Sequence, residues 1–121
     1  MIVPFSVSDF IERALTVYGD RTGVVDEPDQ PATPLGTKGE LTYAEMASLA
    51  ARQAARLDEL GIGVGERVAV VSHNSARLLT SFFGVSAYGR VLVPVNFRLS
   101  PDEVRYIVEP SGARVLISDP V

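Results

Sequence analysis

Two side chains in this 121-residue chain stand where ligands are commonly handled. His73 follows the run Arg67-Val68-Ala69-Val70-Val71, and Arg98 follows Val91-Leu92-Val93-Pro94-Val95. The first is a continuous apolar run that suits a strand buried on both faces of a parallel sheet, and the second reads as the next buried strand. Open α/β sheets bind ligands just beyond the carboxyl ends of such strands. For His73, the sequence supplies no recognisable nucleophile motif to pair with the imidazole, and a hydrogen-bonded loop histidine is the simpler reading. Arg98 directly precedes Ser100-Pro101-Asp102-Glu103, a strong helix start whose positive end, together with the guanidinium, suits an anion. Asp102 and Glu103 are also close enough in sequence to hold Arg98 in a plain ion pair, and on pattern alone that pair is favoured.

Other chemistry-bearing patterns reduce to structure. Gly61-x-Gly63-x-Gly65 follows a helix and leads into a strand, the reverse of a dinucleotide loop, so a helix cap plus a turn accounts for it. Thr37-Lys38-Gly39 lacks the Gly-rich stretch and the strand-loop-helix frame of a phosphate loop. The acidic pairs Asp58-Glu59 and Asp102-Glu103 fall on a helix surface and at a helix start, where solvation or the helix dipole suffices. With no cysteine and one histidine, neither a thiolate site nor a zinc cluster can be built. No catalytic or metal-binding residue is therefore assigned.

Eleven basic and fifteen acidic residues give a net charge of −4, and Lys38 is the sole lysine among scattered arginines. That balance repels a phosphate backbone and argues against nucleic acid as a partner. The opening MIVPFSVSDF has no basic start, long apolar stretch or small-residue cleavage site, and no run approaches the length of a membrane span. A cytoplasmic protein is expected.

The elements that must position these residues read as follows. Ser6 and Asp9 start a helix whose apolar positions, Val7, Phe10, Ile11, Ala14, Leu15 and Tyr18, run to Gly19. Thr22 to Val25 is a short strand, and residues 26–39 form a Pro/Gly-rich loop. Thr42 and Glu45 form a capping box for a second helix of about five turns. Its stripe is Tyr43, Met46, Ala47, Ala50, Ala54, Leu57 and Leu60, and Gly61 ends it in the left-handed conformation with Ile62 folding back. A strand over 67–71, a helix from about Ser75 to Tyr88 apolar around much of its circumference, and a strand over 91–95 follow. A helix then begins at Ser100 with Val104, Ile107 and Val108 inward and breaks at Pro110 and Gly112, before a strand over 113–117. The fold class is α/β: a partial doubly wound, mainly parallel sheet with flanking helices, whose crossovers should be right-handed.

Several of these pieces, in this order, resemble the start of the adenylate-forming (AMP-binding) enzymes, the acyl-CoA synthetases in particular. They are Leu41-Thr42-Tyr43-Ala44-Glu45, Gly63-Val64-Gly65-Glu66-Arg67-Val68-Ala69, His73-Asn74-Ser75, Ala87-Tyr88-Gly89, Val93-Pro94-Val95-Asn96-Phe97-Arg98-Leu99 and Ser111-Gly112-Ala113-Arg114-Val115-Leu116. The likeness runs from about residue 6 to residue 119. It implies that residues 1–121 are the N-terminal portion of a large AMP-binding domain, without the family's small C-terminal domain. The implied activity is that of an acid–thiol ligase, which activates a carboxylic acid, foremost a fatty acid, with ATP and Mg²⁺ and passes the acyl group to coenzyme A.

The family's phosphate loop, adenine motif, ribose-binding aspartate, hinge and C-terminal lysine lie further on. The 121-residue chain alone is therefore expected to be inactive and to bind none of these cofactors tightly. Arg98 falls on the arginine of the family's Asn-x-Arg-Leu motif, which the resemblance places near the nucleotide phosphates of coenzyme A. Phe97 stands where relatives often carry proline. The expected partners are the remainder of the ligase and the carboxylic acid, with self-association through an open sheet edge as a further possibility. The alternative reading is a stand-alone, non-catalytic α/β module that binds a small anion near His73 and Arg98.

Overall fold

The computed structural model describes residues 5–26, 28 and 39–119. Most of the expected 26–39 loop, with Thr37 and Lys38, lies outside these residues. The described residues form α1 (Val7–Tyr18), β1 (Thr22–Val25), β2 (Glu40–Thr42), α2 (Tyr43–Glu59), β3 (Arg67–Val71), α3 (Ala76–Ser86), β4 (Val91–Val95), α4 (Pro101–Ser111) and β5 (Val115–Ser118).

Local hydrogen bonding explains most of these boundaries. At the start of α2 the Thr42 N–H donates to Glu45 Oε2 (2.8 Å) while the Glu45 N–H donates to Thr42 Oγ1 (3.1 Å), so two otherwise orphaned donors are satisfied. Ser100 and Glu103 repeat the arrangement at α4, with Pro101 at its first position. Helix α2 ends where Gly61 adopts φ +75°. There the Gly61 N–H reaches the Asp58 carbonyl (2.9 Å) and the Ile62 N–H reaches Leu57 (3.0 Å), the paired bonds of a Schellman cap. The cap turns Ile62 back into the core, where it is buried beside Leu57.

Strands β3, β4 and β5 form a parallel sheet in the order β4-β3-β5, with Val68 paired to both Leu92 and Val115. The central strand is covered on both faces: Val68, Ala69 and Val70 are all buried. This is why β3 reads as a continuous apolar run rather than an alternating one. Leu57, Ile62, Val68, Val70 and Val85 make one core cluster, flanked by Leu78, Leu92, Val115 and Ile117. Burial of each such aliphatic side chain contributes roughly 1.5 to 3 kcal/mol. A second cluster, Ile11, Leu41, Met46 and Ala76, joins α1 and the antiparallel β1–β2 ribbon to α2 and α3.

Three expectations are corrected. Helix α3 stops at Ser86, and its buried face is Ala76, Thr80, Ser81, Gly84 and Val85, while Leu79 and Phe82 are exposed. The close approach of α2 selects small residues there: Gln53 lies against Gly84, and the Thr80 and Ser81 hydroxyls are satisfied by the carbonyls of Ala76 and Arg77. Pro110 does not end α4; it occupies the last turn, and Gly112 at φ +70° makes the stop. No residue of α4 is buried, and Ile107 is exposed rather than inward, because α4 contributes nothing to either core cluster.

Candidate functional site at the carboxyl end of the sheet

The parallel sheet brings three loops together beyond the carboxyl ends of β3, β4 and β5. Strand β3 delivers Ser72 and His73, β4 delivers Asn96, Phe97 and Arg98, and β5 delivers Asp119. After β4 the chain turns on Asn96, whose Oδ1 accepts the Arg98 N–H (3.0 Å) and whose carbonyl accepts the Leu99 N–H (3.2 Å). That local side-chain turn is a common use of asparagine.

Asp119 organises the β3 side. Its Oδ2 accepts from Ser72 Oγ (2.9 Å) and from the His73 N–H (2.8 Å), and lies 3.4 Å from His73 Nδ1. The His73 ring stacks on Phe97 with centroids 4.1 Å apart and planes tilted by 34°. In the turn after β4, the Arg98 guanidinium carbon sits 5.5 Å from the centroid of the Phe97 ring. His73 and Arg98, distant in sequence, are thus connected through Phe97.

The ion pair expected between Arg98 and Asp102 or Glu103 is not formed among the described residues. Glu103 is taken up at the start of its own helix, accepting the Ser100 N–H at 2.8 Å. The Ser100 N–H and hydroxyl hold the Glu103 carboxyl below the usual carboxylate range. The same contact occupies the positive end of α4, so Arg98, rather than the helix terminus, is the cation on offer to an anion. His73 has a carboxylate neighbour, and the one proton of the nearby Ser72 hydroxyl is shared between the His73 carbonyl and Asp119 Oδ2 (2.9 Å each) rather than directed to the imidazole, so among the described residues no serine is set up as a nucleophile by His73. Among the described residues there is no cluster of three His, Asp or Glu side chains suited to a metal. A cleft of about 300 Å³ opens beside this site, lined by Leu49, Gln53, Leu78 and Ile117, with Ser72 and Asp119 at its border.

The glycines lie at the opposite end of the sheet and serve structure. Gly61 caps α2, Gly65 turns at φ +81°, and the Gly63 N–H donates to Glu66, whose carboxylate also accepts from Arg114 (2.7 Å). Arg114 and that N–H hold the Glu66 carboxyl below its ordinary value of 4.5. Asp58 does more than meet solvent: it accepts from the buried guanidinium of Arg90. Arg90, Asp26 and Asp119 escaped the sequence reading because each finds its partner across the fold; Glu66 and Arg114 stand in motifs of the family resemblance, but their pairing across 48 residues was not read there.

The chain belongs to the AMP-binding enzyme family, whose profile matches residues 11–121. It is 40% identical over 112 residues to a long-chain-fatty-acid–CoA ligase of Thermus thermophilus, covering 93% of this chain and 20% of that protein. It is 34% identical over 110 residues to 4-hydroxybutyrate–CoA ligase 2 of Metallosphaera sedula, covering 91% and 18% respectively. Among solved structures, the anthranilate CoA ligase AuaEII in complex with anthranoyl-AMP superposes with a TM-score of 0.82 at 31% identity, covering 98% of this chain and 21% of that one. The chain therefore spans about a fifth of the length of the relatives it matches. No helix among the described residues is long and apolar enough to cross a membrane.

Proposed function

We propose that residues 1–121 are the N-terminal portion of the large AMP-binding domain of a cytoplasmic acyl-CoA synthetase, and that Arg98 contacts the nucleotide phosphates of coenzyme A. The complete enzyme converts a carboxylic acid and ATP, with Mg²⁺, to an acyl-adenylate and pyrophosphate, and then transfers the acyl group to the coenzyme A thiol. A fatty acid is the foremost substrate class, on the strength of the identity to the Thermus ligase. This segment supplies scaffold and one cation; ATP and Mg²⁺ are handled by the remainder of the ligase, and the segment alone is inactive.

The observation that carries the reading is the placement of Arg98. It is exposed at the carboxyl end of a parallel strand, its guanidinium is without a carboxylate partner among the described residues, and its backbone is fixed by Asn96. A planar fork of donors in that state suits a phosphate. Arg98→Ala in the complete ligase is expected to raise the KM for coenzyme A roughly ten- to a hundredfold, the equivalent of about 1.5 to 3 kcal/mol for a charge-assisted hydrogen bond. Acid-dependent ATP–pyrophosphate exchange should move far less. A coenzyme A KM unchanged by the substitution would refute the assignment.

A further inference from the structure

We propose that His73 is a positioning residue for Arg98, acting through Phe97 and itself held by Asp119. The inference rests on the coenzyme A reading of Arg98 and adds what sets the arginine's direction. A free arginine side chain carries about 2 kcal/mol of rotamer entropy, which a binding site must overcome each time it orders the guanidinium. Here an ordered column runs across the sheet. The Asp119 carboxylate at the end of β5 fixes the His73 backbone N–H (2.8 Å) and approaches Nδ1 of its ring (3.4 Å). The His73 ring lies 4.1 Å from Phe97, and Phe97 presents its ring to Arg98 at 5.5 Å.

None of the three stacked residues is buried, so enclosure does not hold Arg98 in place. The contacts of the column do that work: a ring pair with fixed geometry beneath a guanidinium attracted to the aromatic face. Without the His73 ring, Phe97 loses the partner that sets its plane, and the guanidinium loses its platform.

The test is steady-state kinetics of the complete ligase carrying His73→Ala, His73→Phe, Arg98→Ala and the His73→Ala/Arg98→Ala pair. His73→Leu replaces His73→Ala if the alanine variant does not fold. Loss of the ring is expected to raise the KM for coenzyme A about two- to tenfold, the range of an aromatic pair, with kcat falling by less than KM rises. His73→Phe should restore the KM to within about twofold because it keeps a ring on Phe97. In the Arg98→Ala background His73→Ala should add nothing, since both act through one group. The proposal is overturned if His73→Ala leaves the coenzyme A KM unmoved while Arg98→Ala raises it, or if the two effects add in full. A different result, Arg98→Ala itself without effect, would remove the coenzyme A reading and this proposal with it.

Discussion

Arg90 and Ile62 are 28 residues apart in sequence, yet the buried Arg90 Nε donates to the Ile62 carbonyl at 2.9 Å. Nη2 reaches the same oxygen at 2.6 Å and also pairs with Asp58. One guanidinium thus ties the start of β4 to the turn that closes α2. Arg90→Ala leaves a buried carbonyl without its donors and is expected to cost about 2 to 3 kcal/mol in urea unfolding. Arg90→Lys should recover only part of this, since an ammonium cannot reproduce the fork. Full recovery by lysine would show that charge alone matters there.

Gly84 lies in the interior of α3, where alanine would ordinarily stabilise a helix by about 1 kcal/mol. A Cβ there would run into Gln53 Oε1 and stand 3.0 Å from Gln53 Cβ. Gly84→Ala is therefore expected to destabilise by roughly 1 to 3 kcal/mol through overpacking. The penalty should shrink by more than half in a Gln53→Ala background, and a thermal-melt cycle on the four proteins measures this coupling. A stabilising Gly84→Ala would mean that α2 and α3 are not held this close.

Asp26, just after β1, is buried and accepts the Ala76 N–H at 2.8 Å. It satisfies the first amide of α3 from across the fold, beside the local Ser75 cap. Asp26→Ala should cost about 1 to 3 kcal/mol and speed hydrogen exchange at the Ala76 amide, while Asp26→Asn, which keeps an acceptor, should cost less. Equal exchange in all three proteins would count against this cap.

Glu66 makes stability depend on pH. Its hydrogen bonds from Arg114 and the Gly63 N–H lower its folded pKa below the ordinary 4.5. Its contribution is present above that ordinary value and is lost as pH falls through the lowered one. Urea midpoints measured between about pH 3 and pH 6 should fall on the acid side, less steeply in Glu66→Gln. The difference should narrow at high salt, because the pair is exposed. Identical acid slopes in the two proteins would exclude Glu66 as a contributor.

Much of the frame was legible because its causes are local. The boxes at Thr42–Glu45 and Ser100–Glu103 and the left-handed turn at Gly61 involve residues within one helical turn, so their spacing encodes their geometry. Strand β3 was legible for a related reason: a strand central in a parallel sheet must be apolar on both faces. The position of Arg98 beyond a strand end followed directly, and the order of motifs marked the family.

The contacts at Arg98 were not legible. Proximity in sequence favoured Asp102 and Glu103, but the capping box claims Glu103, and the ring of Phe97 takes the guanidinium instead. The joining of His73 to Asp119 depends on β5 lying beside β3, and the stack on Phe97 depends on β4 lying on the other side. The small buried face of α3 likewise follows from how closely α2 approaches it. Short-range hydrogen bonding and apolar periodicity are properties of a segment and can be read from it. Partners contributed by other segments exist only once strand order and helix packing have placed them side by side, so the tertiary structure alone decided them.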